Sequence, residues 1–207
     1  MSEKCSHHRG KWRKRLRPIC AGLLIFNFIL LVVILIIWAI LQPKKPRFVL
    51  QDATVYAFNV SGGTFLTSNF QVTIASRNPN DKIGIYYDRL DVYATYHSQQ
   101  ITLYTRIPSV YQGHKDVNVW SPFVSGNNVP VAPYNGMALG QDQADGQVMI
   151  TIKMDGRVRF KVNTFVSGRY HLYVKCPAII TFGSRSTGVV MGNAVKYQLY
   201  SRCSVTV

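Results

Sequence analysis

Cysteine, histidine and aspartate side chains are the residues of this 207-residue chain that could bind metals or take part in catalysis. The four cysteines and five histidines are scattered, and no histidine has a cysteine or carboxylate at the spacing of a zinc site. His97, His114 and His171 lie far apart in the sequence and in polar surroundings. We interpret them as solvated side chains and expect no metal site.

The sequence contains none of the motifs that mark common catalytic or phosphate-binding loops. It has no Gly-x-Ser-x-Gly nucleophile turn, no His-Glu-x-x-His pair, no Gly-x-Gly-x-x-Gly and no Walker loop. Asp81, Asp88 and Asp91 are not spaced like an EF-hand calcium loop. We predict a protein without catalytic residues and without a cofactor. A glycan-directed enzyme that uses paired carboxylates is a remote alternative.

An uncharged apolar segment explains an unusual combination of charge and hydropathy. The chain carries a net charge of +15, yet its mean hydropathy is +0.04. Residues 19–41 contain no charge, and only Gly22 and Asn27 depart from an apolar composition. A helix of this length spans roughly 34 Å, enough to cross a hydrocarbon core of about 30 Å. A freely soluble cytosolic enzyme is therefore excluded, and 12% aromatic residues exclude a disordered chain.

The basic residues on either side of this segment predict its orientation. Seven Lys and Arg residues precede it and three follow closely, so the positive-inside bias places the N-terminus in the cytosol. The segment is too long for the apolar region of a cleaved signal peptide, and no small-residue cleavage site follows it. We predict a basic cytosolic tail at 1–18, a transmembrane signal-anchor helix at 19–41, a linker at 42–47 and an extracellular domain at 48–207.

The positive charge divides into two parts with different interpretations. Residues 1–18 carry seven basic residues and one acidic residue, a net +6, which contact with anionic lipid explains better than nucleic acid does. Residues 42–207 carry 17 basic and 8 acidic residues, a net +9, without the spacing of a nucleic-acid-binding motif. We predict no nucleic-acid partner. The outer charge favours an anionic neighbour, either an acidic polysaccharide or membrane headgroups.

Three kinds of covalent modification fit this topology. Cys5 and Cys20 are candidates for palmitoylation, although Cys20 also fits a plain apolar position in a helix. Cys176 and Cys203 fall in the outer domain, where a disulfide persists and its loop would be worth about 3–4 kcal/mol. Asn59 begins the sequon Asn-Val-Ser and is a candidate N-glycosylation site.

Alternation of apolar and polar residues predicts strands throughout the outer domain. The clearest run is 157–162, where Arg and Lys alternate with apolar residues, and a second run at 170–176 follows the turn at Gly168. This spacing predicts a hairpin. Only Gly136 to Ala144 could form a helix. Further strands are expected at 47–59, 84–96, 99–105 and 194–207. Seven or eight short strands of this kind predict a mainly β, immunoglobulin/fibronectin-III-like antiparallel β-sandwich.

One motif and its surroundings resemble a known plant family. Residues 78–88 read Asn-Pro-Asn-Asp-Lys-Ile-Gly-Ile-Tyr-Tyr-Asp, which predicts a turn and then a strand with Ile83, Ile85 and Tyr87 on one face. The motif is similar to the signature of the non-race-specific disease resistance/harpin-induced-like proteins. Further similar segments lie at 43–48, 111–115, 156–162, 168–172 and 196–207. The signature residues are Asn78, Pro79, Asn80, Gly84, Tyr86, Tyr87 and Asp88.

The resemblance carries expectations for fold and function. It implies a late-embryogenesis-abundant type 2 (LEA-2) β-sandwich with one short helix at 48–207. It also implies a land-plant protein of the plasma membrane, with plasmodesmata as one location, that acts in defence and in abiotic-stress responses. We expect a membrane-anchored, apoplast-facing interaction protein with an unidentified protein or cell-wall partner. The alternative is a stress protectant of membranes or proteins, and the oligomeric state stays open.

Overall fold

The computed structural model describes residues 7–41, 43–182 and 186–207, with the side chains of 18–36 in the first helix. The chain forms two compact units that divide after Gln42. Among the described residues, the first unit is a single helix. The second, Pro43–Val207, contains the strands and a shorter helix.

Helix α1, His7–Leu41, runs through Pro18 and continues to the end of the apolar segment. The stretch Pro18–Ile36 is long and apolar enough to cross a bilayer, and none of its side chains is buried. Asn27 Nδ2 donates to the Leu23 carbonyl oxygen at 2.9 Å, which satisfies one polar group within the helix. The helix starts well before the predicted span of 19–41. The preceding segment is rich in Lys and Arg, which favour helix.

The second unit contains fourteen strands and helix α2 among its described residues. In chain order the elements are β1 (Arg47–Ser61), β2 (Phe65–Arg77), β3 (Ile83–Tyr96), β4 (Gln99–Gln100), β5 (Thr105–Ile107), β6 (Val110–Gln112), β7 (Val117–Trp120), β8 (Phe123–Pro130), α2 (Pro133–Ala144), β9 (Gln147–Val162), β10 (Phe165–Val166), β11 (Tyr170–Thr181), β12 (Val189–Met191), β13 (Ala194–Arg202) and β14 (Ser204–Thr206).

The strands form two antiparallel sheets that pack face to face, which confirms the predicted β-sandwich. One sheet has six strands in the order β12-β13-β1-β2-β7, with β8 also paired to β2. The other has eight, in the order β14-β11-β9-β3-β4, with β10 on β9 and with β5 and β6 on β3. The predicted hairpin is confirmed, since β9 pairs with β11 along most of both strands. The inner faces of the two sheets bury one continuous apolar core that lies wholly within Pro43–Val207.

The prediction of seven or eight short strands was wrong in number and in length. Five strands have more than ten residues, and β9 has 16. The strand expected at 84–96 is confirmed as β3, where Ile83, Ile85 and Tyr87 are buried as predicted and burial then passes to even-numbered positions from Leu90. The register with β9 shifts between Tyr87 and Arg89, which is a β-bulge. A bulge of this kind interrupts the alternation of buried and exposed positions within one continuous strand.

Helix α2 begins at Pro133, earlier than the predicted Gly136. Proline fits the first turn of a helix because its missing N–H has no acceptor there and its φ is already helical. Leu139 is 1% exposed and belongs to the core. The helix therefore covers one part of the apolar interior between β8 and β9.

A disulfide joins Cys176 to Cys203 and confirms the predicted pair. Cys176 lies in β11 of the eight-stranded sheet and is fully buried. Cys203 lies where the chain leaves β13 of the six-stranded sheet and enters β14 of the other. Its backbone N–H donates to the Phe48 carbonyl oxygen of β1 at 3.0 Å. The bond thus connects the two layers of the sandwich covalently.

We expect the paired substitution Cys176→Ala/Cys203→Ala to lower the free energy of unfolding by about 3–4 kcal/mol. The reason is that the bond spans a sequence separation of 27 residues and restricts the unfolded chain. Denaturant titration of the full chain in detergent, followed by tryptophan fluorescence, measures the change. Cys20→Ala is the control, because Cys20 is an exposed free thiol. Alkylation of Cys176 and Cys203 without reductant would contradict the assignment.

Candidate interaction surface

The signature turn is held by two buried asparagines. Asn78 is 0% exposed and Asn80 is 4% exposed. Asn78 Nδ2 donates to the carbonyl oxygens of Ile83 at 2.7 Å and Gly113 at 2.8 Å. Its Oδ1 accepts from the backbone N–H of Asn80 at 3.0 Å and from Asn80 Nδ2 at 2.9 Å. A side-chain amide that donates twice and accepts twice is fully satisfied, so burial here does not leave an unpaired polar group.

Asn80 ties this turn to the segment that enters the sandwich. Its Oδ1 accepts from the Lys44 N–H at 2.7 Å, and its Nδ2 donates to the Lys44 carbonyl oxygen at 2.8 Å. Lys115 Nζ donates to the Pro79 carbonyl oxygen at 3.1 Å and pairs with Asp81 at 2.8 Å. The hydrogen bond from Lys115 lowers the pKa of the exposed Asp81 carboxyl group. We call Asn78 and Asn80 the asparagine clamp, since they join three segments that are distant in sequence.

Tyr87 of the signature points into the core and closes a buried hydrogen-bond network. Its Oη lies 2.9 Å from Ser76 Oγ and donates to Gln112 Oε1 at 2.9 Å. Gln112 Nε2 donates to the carbonyl oxygens of Ser76 at 2.7 Å and Asp116 at 3.0 Å. Burial raises the pKa of Tyr87, against a smaller opposing effect of the Ser76 hydrogen bond. The phenol is therefore neutral at physiological pH, and its role is to fix β2, β3 and β6 together.

Gly84 and Tyr86 of the signature shape the outer face of the eight-stranded sheet. A side chain at Gly84 would overlap the ring of Tyr111, so only glycine lets that ring lie against β3. The rings of Tyr86 and Tyr111 are 4.6 Å apart between centroids. Arg159 lies 5.3 Å from the Tyr86 centroid, and Lys161 Nζ lies 5.5 Å from the Tyr111 centroid. Cations in this range are attracted to aromatic faces.

Asp88 occupies the bulge of β3, and its carboxylate lies beside two arginines. Arg159 donates from Nε to Asp88 Oδ2 at 2.8 Å and from Nη2 to Oδ1 at 2.6 Å. Arg169 Nε lies 3.5 Å from Oδ2. The hydrogen bond to Asp88 is the main cause of the raised pKa of Arg159. This bidentate geometry between Arg159 and Asp88 fixes the plane of the guanidinium group.

A groove of about 740 Å³ lies beside these residues on the outer face of the eight-stranded sheet. We call it the arginine groove. Gly156 is among its lining residues, and any side chain there would collide with the backbone of Arg89. Asp91 accepts from Arg89 Nε at 2.6 Å and from Arg106 Nε at 3.2 Å. The full lining is Asp88, Arg89, Asp91, Tyr104, Arg106, Asp155, Gly156, Arg157, Arg169 and His171.

Arg157 differs from the other arginines of the groove. Arg89, Arg106 and Arg169 each pair with an aspartate, whereas Arg157 forms no ion pair or side-chain hydrogen bond with any described residue. It is exposed and lies on β9, the strand between β3 and β11. A free guanidinium group that shares a groove with Tyr104 and paired arginines can bind a carboxylate or another planar anion with two hydrogen bonds.

The structure separates the signature residues into two roles. Asn78, Pro79, Asn80 and Tyr87 stabilise the fold, while Gly84, Tyr86 and Asp88 build the outer face. Sequence reasoning predicted the turn and the buried face but missed the arginine groove. The signal was present in the alternating cations of 157–161, but Asp88, the β3 partner of Arg159, was not identifiable by spacing.

The remaining predicted sites are placed but not tested by the structure. Asn59 lies on β1 with an exposed side chain, which suits glycosylation. Cys20 lies exposed on α1, and Cys5 is outside the described residues. His97, His114 and His171 are exposed. In the described part of the chain, no three metal-ligating residues come together.

We expect Asn78→Ala to lower the free energy of unfolding by about 2–4 kcal/mol. The substitution removes the Asn78 donor from the carbonyl oxygens of Ile83 and Gly113 and releases Asn80. Chemical denaturation of the full chain in detergent measures the change. Asn127→Ala is the matched control, because Asn127 is exposed on β8 and should change stability by less than about 0.5 kcal/mol. Equal stability of the two variants would contradict a clamp.

Comparison with known proteins agrees with the motif. The family model described as late embryogenesis abundant protein, LEA_2, matches residues 73–176, which run from β2 to the first disulfide cysteine. Two solved structures share similarity at low sequence identity. A protein from Archaeoglobus fulgidus has a TM-score of 0.34, 7% identity and coverage of 68% of this chain and 97% of its own. A putative late embryogenesis abundant protein has a TM-score of 0.33, 14% identity and coverage of 84% and 90%.

Relatives from Arabidopsis thaliana match over nearly the whole chain. NDR1/HIN1-like protein 1 is 61% identical and covers 98% of this chain and 99% of its own length. NDR1/HIN1-like protein 12 is 60% identical and covers 100% of this chain and 99% of its own length. NDR1/HIN1-like protein 26 is 39% identical and covers 86% of this chain and 83% of its own length. The resemblance noted in the sequence is thereby confirmed, and the chain belongs to the NDR1/HIN1-like family of defence-related or LEA-type plant proteins that carry a LEA-2 domain.

Proposed function

We propose that this chain is a plasma-membrane-anchored protein of plant defence whose β-sandwich faces the apoplast and binds a protein or cell-wall partner. Three features support the anchoring and orientation. The apolar stretch Pro18–Ile36 has the length and composition of a span. The seven basic residues that precede it favour a cytosolic N-terminus. The disulfide favours an oxidising compartment for the sandwich.

The arginine groove is the observation that carries the binding part of the proposal. A buried or paired arginine has a structural explanation, but Arg157 has no partner among the described residues and is exposed in the lining of a groove. Exposed arginines and tyrosines are enriched where proteins bind partners. The groove therefore fits a partner that presents a carboxylate or similar anion against aromatic side chains. Asp88 and Asp91 add acceptors for hydroxyl or amide donors.

A stress-protectant role is the second candidate, and the description of the matching family model favours it. A protectant acts without a specific partner, so it should not depend on a single groove residue. The family is not one of known enzymes, and we propose no catalytic activity. The two candidates are therefore separated by whether one substitution in the arginine groove abolishes partner binding.

The orientation of the sandwich predicts glycosylation at Asn59. We expect endoglycosidase treatment to increase the electrophoretic mobility of the full chain expressed in plant cells. The variant Asn59→Gln should migrate like the treated wild type, because Asn59 is the first residue of the sequon. An unchanged mobility of the wild-type chain after treatment would remove this support for an apoplast-facing domain.

The arginine groove predicts that partner capture depends on Arg157. We expect Arg157→Gln in the full chain to reduce recovery of partners from plant plasma membranes roughly tenfold or more. A charge-assisted hydrogen-bond pair contributes about 1.5–3 kcal/mol, and glutamine cannot replace it. Lys175→Gln is the charge-matched control, because Lys175 is exposed on the same sheet outside the groove. Both variants should still reach the membrane.

Two outcomes of this capture would contradict the proposal. If both variants recover the same partners as the wild type, the arginine groove is not the binding surface. If the wild type recovers no specific partner, the stress-protectant role is favoured instead. Mass spectrometry of the captured material distinguishes these outcomes.

A further inference from the structure

A second groove, of about 800 Å³, lies on the outer face of the six-stranded sheet near the start of β1. Four cations line it: Lys45, Arg47, Arg77 and Arg202. No acidic side chain lines it, and none of the four forms an ion pair with a described residue. We call it the basic groove. It differs from the arginine groove, where three aspartates compensate most of the charge.

The strand register brings like charges together in the basic groove. Arg47 of β1 is the direct cross-strand partner of Arg77 of β2. Arg202 of β13 is the partner of Val49, two residues further along β1 and on its other side. Like charges directly opposite each other destabilise a strand pair. This cluster is therefore unfavourable in the free protein and becomes favourable when an anion lies between the guanidinium groups.

Apolar side chains lie between these cations. Val117 of β7 is 50% exposed and lines the basic groove, together with the half-buried Val49 and Val205. The one aromatic residue of the lining, Phe48, is only 2% exposed and offers no platform to a sugar ring, and Gln51 is the one side-chain hydrogen-bond acceptor among the lining residues. An apolar floor with a cationic rim fits the boundary between lipid headgroups and acyl chains.

The basic groove includes residues that follow helix α1 closely in the sequence. Lys45 follows Leu41, the last residue of α1, by four positions. Four extended residues reach at most about 14 Å. Arg47, at the start of β1, is only two residues further on. We propose that the basic groove binds the phosphate of an anionic lipid headgroup in the outer leaflet, an inference that rests on the anchoring in the proposed function.

The test uses the second unit alone, residues 43–207, which contains the whole apolar core and the disulfide. Without α1, binding to added vesicles reports on the sandwich. We expect co-flotation with vesicles of phosphatidylcholine and phosphatidylinositol but not with phosphatidylcholine alone. Arg47→Gln/Arg77→Gln/Arg202→Gln should weaken the binding about a hundredfold, because each cation near an anionic surface contributes roughly a factor of five.

A charge-matched variant separates the basic groove from net charge. Lys153→Gln/Lys161→Gln/Lys175→Gln removes three cations from the opposite, eight-stranded sheet and should bind the vesicles like the wild type. Equal loss in both triple variants would overturn the proposal, as would full binding by the groove variant. The groove variant should keep or raise the melting temperature, because it relieves the Arg47–Arg77 opposition. A fall in its melting temperature would assign the arginines a structural role instead.

A soluble competitor distinguishes a lipid surface from a free phosphate ligand. Inositol phosphate should displace the protein from the vesicles only when its phosphate concentration is much higher than that of the lipid headgroups, because it lacks the apolar contact with Val117. Displacement at equal concentration would overturn the lipid assignment. Failure of anchoring remains separately detectable. A full chain whose Asn59 is not glycosylated, with vesicle binding intact, contradicts only the orientation, whereas lost vesicle binding with Asn59 glycosylated contradicts only this inference.

Discussion

The β-bulge at Asp88 is the constraint on which both faces of the eight-stranded sheet depend. One extra residue in β3 moves the buried positions from Tyr87 to Leu90, so the strand continues to bury apolar side chains over its full length. The same residue turns its carboxylate toward Arg159 and Arg169 on the outer face. Gly156 makes the bulge possible, because any side chain there would collide with the β3 backbone. Core packing and the arginine groove therefore share one structural origin.

The asparagine clamp performs a similar task at the edge of the sandwich. Asn80 donates to Asn78 and bonds the backbone of Lys44, while Asn78 donates to the carbonyl oxygens of Ile83 and Gly113. Their burial is tolerated because every amide position has a partner. The clamp fixes the entry segment of the sandwich, and the disulfide fixes its last crossing between sheets. A family signature can thus consist mainly of residues that hold the fold while a minority shape its surface.

Local patterns predicted much of this structure, and long-range pairing explains what they missed. The alternation in 157–162, the turn at Asn78 and the Cys176–Cys203 pair were predictable, because each depends on a short pattern or on topology. The bulge was not, since a single extra residue leaves no signal apart from a change of phase. The arginine groove depends on the register of β3, β9 and β11, and the basic groove depends on Arg47 facing Arg77. Neither set of neighbours is adjacent in sequence.

The arginine groove and the basic groove lie on opposite outer faces of the sandwich. Our central claim is that the face of the eight-stranded sheet binds the defence partner. Cross-linking mass spectrometry of the full chain with partners captured from plant plasma membranes tests this claim most directly. Lys153 and Lys161 lie on β9 beside the arginine groove, whereas Lys45 and Lys196 lie on the six-stranded sheet or next to it. We expect cross-links from Lys153 and Lys161 to the partner. Cross-links confined to Lys45 and Lys196 would contradict it.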